Sequence, residues 1–194
     1  MSKEETVSSK GKEPYGCISG VNYGTRLAPP AKKLKAQGGG FGYDWDDGVN
    51  DNVRMITVTY DGSGVNTVKF EYALGTNTVV GDKHGYSPSD DQKKEFRLKV
   101  DEYITSVEGH YGQRLPPPGP DRTTMKAFGY ESMTMLNFKT NITTYKVLDI
   151  KPGYEYVGTP IKLTEEGHKI VGFYGMYSTC VNQIGVYVKP IGDA

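Results

Sequence analysis

Apolar and polar residues alternate with a period of two along most of this chain, and no stretch carries the 3.6-residue repeat of an amphipathic helix. Residues 53–60 alternate and close on Asp61-Gly62-Ser63-Gly64. Residues 65–74 then alternate again at Val68, Phe70 and Tyr72, so the two runs predict a hairpin. A turn-rich segment over 75–91 leads to a strand over 94–100, marked by Phe96, Leu98 and Val100, and to another over 102–109. The pattern resumes at 133–140, pairs back through 143–150 across a turn at Thr140-Asn141, and continues over 154–161 to Leu163. After a turn at 164–168, two runs of β-branched and aromatic residues flank a small, polar interruption at 176–182, which reads as strand, exposed loop and returning strand. Strands that recur about every ten residues predict an all-β sandwich, barrel or prism.

Composition agrees with that picture. Gly (25) and Tyr (15) are both abundant among the 194 residues, as expected for many turns and short strands. A chain of this length buries roughly 70% of its unfolded surface, enough for one real core. Basic and acidic residues number 23 each, so no global field gathers nucleic acid or an anionic membrane. Residues 1–36 hold seven basic and three acidic side chains, few large apolar ones and the pair Pro29-Pro30. Residues 1–35 are therefore expected to be a poorly ordered extension, 36–190 the folded domain and 191–194 a short tail. The first residues lack the apolar core of a signal peptide and no run reaches membrane-spanning length, which predicts a soluble cytoplasmic or nucleocytoplasmic protein with no membrane insertion.

Candidate chemistry is sparse. Cys17 and Cys180 form no C-x-x-C motif and have no nearby histidine pair, so neither a metal site nor a disulfide framework is indicated, and no cofactor is called for. His84, His110 and His168 read as scattered among turns, and no G-x-S-x-G elbow is present. Asp46 and Asp47 are neighbours whose side chains point apart in a strand, which suits a turn better than glycoside hydrolysis. No catalytic residue is assigned, and Cys180 has no adjacent cation to activate its thiol. The glycines at 38–42 do not match G-x-G-x-x-G; they are expected to let the backbone approach another segment or a ligand closely, with Trp45 as a core anchor. Leu115-Pro116-Pro117-Pro118-Gly119-Pro120 predicts a stiff spacer loop, and the sequon Asn141-Ile142-Thr143 falls in a turn. The 176–182 loop, held at both ends by strands, offers backbone N–H groups on a rigid platform and is the expected binding site.

Several motifs together resemble the plant jacalin-related lectins: Gly42 with Trp45-Asp46-Asp47-Gly48, Phe70-Glu71-Tyr72, the run 102–109, Leu136-Asn137-Phe138-Lys139-Thr140-Asn141, Gly167 through Phe173, and Ile184-Gly185-Val186-Tyr187. The resemblance covers residues 36–190. It implies a β-prism I fold, three four-stranded Greek-key sheets around a pseudo-threefold axis, with monosaccharide binding that needs no metal. It also implies dimers formed through exposed sheet faces and a role in plant defence or stress response.

In that family the sugar sits between a first-loop glycine, here Gly42, and a Gly-x-x-x-Asp motif, here Ser178-Thr179-Cys180-Val181-Asn182. Asn182 replaces the aspartate. A carboxylate accepts charge-assisted bonds worth roughly 1.5–3 kcal/mol, against about 0.5–1.5 kcal/mol for an amide oxygen. A millimolar site has only about 4 kcal/mol in total, so the exchange weakens it. Ser178 in place of glycine displaces the neighbouring amides if that position needs a positive φ. The family's galactose binders carry a freed amino group on the first-loop glycine, whereas Gly42 is internal, so the resemblance implies mannose/glucose-type glycans. Two readings stay open: a lectin of that type with weakened binding, and a module of the same fold that has lost the sugar and binds protein partners.

Overall fold

The computed structural model describes residues 30–87, 91–114, 131–148 and 158–192, and among these every regular element is a strand. Strands β1 (Lys32–Gly38) and β2 (Tyr43–Asp46) precede a long hairpin of β3 (Asn52–Asp61) and β4 (Gly64–Leu74). Three short strands follow, β5 (Asn77–Val80), β6 (His84–Gly85) and β7 (Gln92–Arg97). A second hairpin, β8 (Ile104–Gln113) and β9 (Glu131–Thr140), is flanked in sequence by β10 (Thr144–Lys146) and β11 (Thr159–Thr164). The third is β12 (His168–Tyr177) with β13 (Val181–Pro190).

Each hairpin is the centre of a four-stranded antiparallel unit. The orders are β2-β12-β13-β1, β7-β3-β4-β5 and β11-β8-β9-β10, with β6 beside β5 on the edge of β4. In the second and third units the fourth strand returns beside the first of three consecutive ones, which is the Greek-key order. One ladder position, Ile170 with Ile104, joins the first and third units into a single sheet.

The three hairpins also carry the same irregularities. Near the tips the register shifts at Thr59/Tyr60, His110/Tyr111 and Met176/Tyr177; near the bases it shifts at Val53/Met55, Ile104/Ser106 and Ile170/Gly172. Bulges bend and twist a strand pair, so equal bulges curve the three sheets alike and let them close around one axis. This is the β-prism expected from the resemblance.

On that axis Phe70, Phe138 and Phe173, one from each unit and all fully buried, meet with centroids 3.9 Å apart for 70–173, 6.2 Å for 70–138 and 6.1 Å for 138–173. Burying such a ring stabilises the fold by about 1.5–3 kcal/mol. Trp45 is buried, as expected of the anchor, with its ring stacked 3.9 Å from that of His84.

Several boundaries differ from expectation. Lys32, Lys33, Leu34 and Lys35, placed in the extension, belong to β1: the first three pair with β13, although three lysines in four residues do not signal a strand. The segment 75–91, read only as turns, contains β5 and β6, whose short runs edge β4. The three histidines lie in strands β6, β8 and β12 rather than in turns. The rest of the expected extension, residues 1–29 with Cys17, lies outside the described residues, as do the proline-rich run 115–120 and residues 149–157.

Candidate functional site

The ends of β1, β8 and β12 and the starts of β2, β4, β9 and β13 all lie at one end of the prism. At that apex Gly38, Gly39 and Gly42 make the close approach read from the sequence, while Gly40 stands open. Gly42 has φ +118°, and a Cβ there would fall 2.2 Å from the Tyr177 carbonyl oxygen, so any side chain would separate the first loop from β12. Gly39 donates its N–H to Asn182 O at 2.9 Å, and its own Cα faces Glu131 O, where a Cβ would stand at 2.2 Å. Tyr86, just past β6, donates its N–H to Thr179 O at 3.3 Å. Four chain segments are thereby brought to one place.

The last loop is shorter than expected. Pairing of Tyr177 with Val181 extends both strands inward and leaves a tip of 178–180, closed by a bond from Ser178 N–H to Cys180 O at 2.9 Å. Of the residues read as the site, Gly42, Ser178 and Thr179 come together at the surface, with Thr179 exposed and Ser178 half-buried. Cys180 and Val181 are buried, and Asn182 is fully buried. Its side chain points into the protein: Oδ1 accepts from Ser178 Oγ at 2.8 Å and Nδ2 donates to Glu131 O at 3.1 Å.

Aromatic rings that the sequence reading did not single out stand around this tip. Tyr43 is 73% exposed and Tyr86 64%, an unusual degree for rings of this size. Tyr43 also packs against Tyr177, with centroids 6.1 Å apart. An apolar ring beside fixed backbone donors is the usual construction of a small-ligand site. The available signal was the position of Tyr43 directly after Gly42 and of Tyr86 directly after Gly85, at glycines with φ of +118° and +103°.

Beneath the tip a recess of about 480 Å³ is lined by Asp44, Trp45, Asp47, Asp82, His84 and Tyr177, among others. Asp47 and His84 form its rigid floor. His84 Nε2 lies 2.9 Å from Asp47 Oδ1, and Tyr72 OH donates to Asp47 Oδ2 at 2.7 Å. Burial, with the negative charge of Asp47 beside it, pushes the Tyr72 hydroxyl well above its ordinary pKa, so it stays a donor. Asp46 faces outward. Partial burial pushes its carboxyl up, but bonds from Tyr187 OH, Gly48 N–H and Lys33 outweigh this and hold it below the ordinary range. Only Asp46 therefore makes the turn contact expected of the pair, while Asp47 ties β2 to β4 and β6. Among the described residues no three His, Cys, Asp or Glu side chains gather as metal ligands.

The family model described as Jacalin-like lectin domain matches residues 34–187. Jacalin-related lectin 45 of Arabidopsis thaliana is 41% identical over 194 residues, taking in 98% of this chain and 39% of that protein. Myrosinase-binding protein 2 of the same plant is 42% identical over 164 residues, or 83% of this chain and 22% of that protein. The chain thus spans well under half the length of these curated relatives. Among solved structures, a mannose-specific jacalin-related lectin from Morus nigra, in complex with mannose, aligns with a TM-score of 0.65 at 28% identity, covering 83% of this chain and 96% of that one.

Proposed function

Because this chain belongs to the jacalin-like lectin family, we propose that its apex binds carbohydrate, as a site for mannose- or glucose-type glycans built from Gly42, Tyr43, Tyr86 and the 178–180 tip. The observation that carries this reading is the seating of Gly42 against Tyr177 and Ser178, which only a glycine allows and which opens the first loop onto the hairpin tip. The polar groups of the first loop and the 178–180 tip face ligand hydroxyls, and the rings of Tyr43 and Tyr86 cover the apolar face of a pyranose. The affinity is low, since a monosaccharide at a millimolar site is held by only about 4 kcal/mol and no carboxylate at 182 contributes. Avidity from dimers joined through exposed sheet faces, and a role in plant defence or stress response in the cytoplasm or nucleocytoplasm, extend the proposal.

A second reading is favoured by the inward-turned Asn182 and by the myrosinase-binding relative: a module of the same fold that binds protein partners. Calorimetry with methyl α-mannoside, methyl α-galactoside and a mannose-rich oligosaccharide separates the two. Heat of binding competed by mannose supports the lectin, and its absence with all three ligands supports the second reading.

A further inference from the structure

We propose that Ser178 sets ligand selectivity at the apex by closing the Asn182 side-chain oxygen against a ligand hydroxyl. This inference deepens the carbohydrate reading and rests on it. The bond from Ser178 N–H to Cys180 O at 2.9 Å fixes the turn, and the turn holds the Ser178 hydroxyl against Asn182 Oδ1 at 2.8 Å. The same asparagine donates through Nδ2 to Glu131 O at 3.1 Å and accepts from Gly39 N–H at 2.9 Å through its backbone oxygen. With no exposed surface, it serves three segments of its own chain and presents nothing to solvent.

The prism repeats this device. Val65 pairs with Tyr60 beside the tip bulge of β3-β4, as Val181 pairs with Tyr177 beside that of β12-β13, so Asn66 and Asn182 are equivalent. Asn66 is also buried. Its side-chain oxygen accepts from Arg114, and its Nδ2 donates to Asp91 at 2.8 Å and Asp61 at 3.2 Å. Gly85 lies against Asn66 O as Gly38 lies against Asn182 O. In both places the asparagine is a joint between sheets whose acceptor is filled from within. The filling group differs: a guanidinium held by several bonds at Asn66, a single half-buried hydroxyl at the tip of β12-β13.

Ser178 Oγ fills one of the two acceptor positions of Asn182 Oδ1, and full burial of the side chain beneath Ser178 shuts off the other from a ligand hydroxyl. With that acceptor closed, recognition falls to the other polar groups of the apex and the tyrosine rings, and one side-chain acceptor that distinguishes the orientation of a hydroxyl is lost. The ligand class is therefore a mannose- or glucose-type pyranoside bound with little preference between those two epimers.

The test is an NMR titration of the native protein, Ser178→Gly and Ser178→Ala with methyl α-mannoside, methyl α-glucoside and methyl α-galactoside. The native dissociation constants for the mannoside and the glucoside should lie within about threefold of one another, with the galactoside weaker, and either variant should tighten one epimer selectively by roughly two- to tenfold, the worth of one released acceptor. Binding with an unchanged order and ratio in both variants overturns the inference. If no form responds to any sugar, the carbohydrate reading itself fails. The closure is then judged on the Asn182 side-chain NH2 resonances: displacement and faster exchange in Ser178→Ala support it, and unchanged resonances overturn it.

Discussion

Tyr86 donates its backbone N–H to the carbonyl oxygen of Thr179 at 3.3 Å, and so fastens the end of β6 to the tip between β12 and β13. The bond is made by the backbone, so the ring is left outside it, 64% exposed at the edge of the site. Tyr86→Ala is expected to keep the bond and change stability by no more than about 0.5 kcal/mol. Monosaccharide affinity should fall by about fivefold, from loss of about 1 kcal/mol of apolar contact. Urea denaturation and calorimetry on the same variant check both parts.

Gly42→Ala acts on the fold of the apex. The residue has φ +118°, and the added methyl would meet Tyr177 O at 2.2 Å and Tyr177 C at 2.7 Å. Backbone atoms cannot swing aside as a side chain would. Strain of about 1–3 kcal/mol, together with displacement of the first loop, is expected to lower the urea midpoint and abolish the sugar response. A variant with native stability and native affinity would show that the first loop is not seated on β12.

Asn182→Asp restores the residue found in the family's sugar motif, yet it is expected to harm this protein. A carboxylate keeps the bond from Ser178 but loses the donation to Glu131 O, and it sets a charge against a carbonyl oxygen in a fully buried position. Loss of about 2–3 kcal/mol of stability without a gain in sugar affinity is the expected result. Thermal unfolding and a mannoside titration of the variant measure the two effects.

Acid should destabilise the prism partly through Glu102, a fully buried carboxylate at its opposite end. Burial pushes its pKa up, but bonds from Lys99 N–H at 3.0 Å, Thr140 OH at 2.7 Å and Tyr145 OH at 3.2 Å outweigh this, and the net shift is downward. A folded pKa below the unfolded value of about 4.3 means that the contribution is complete above that pH and is lost as pH falls through the folded pKa. Stability measured from pH 7 to pH 2 should therefore drop on the acid side of 4. Glu102→Gln should be less stable at pH 7 and show a shallower acid decline.

How much of this was legible depended on whether a side chain or a backbone contact decided it. The hairpins were readable because Ile56, Val58, Phe70, Phe138 and Phe173 fill one core and impose period-two patterns on their strands. β1 was hidden because Lys32, Lys33 and Lys35 carry exposed charged side chains, and the strand is set by its ladder with β13. The length of the tip was misread for a similar reason: Tyr177 and Val181 pair across a bulge that composition does not announce. The close approach at Gly42 was legible, since a glycine against a carbonyl is one of the few close approaches that a sequence marks. Asn182 looked like a ligand-facing residue because its position in the motif is visible, whereas its bond to Glu131 O depends on a strand 51 residues away.

The most direct measurement is a 15N-resolved NMR titration of the full chain with methyl α-mannoside. Carbohydrate binding at the apex requires saturable shifts centred on Gly42, Tyr43, Tyr86 and residues 178–180, with the amides around Glu102 unmoved. Saturable shifts centred elsewhere on the prism, or none at concentrations of about 50 mM, would contradict it.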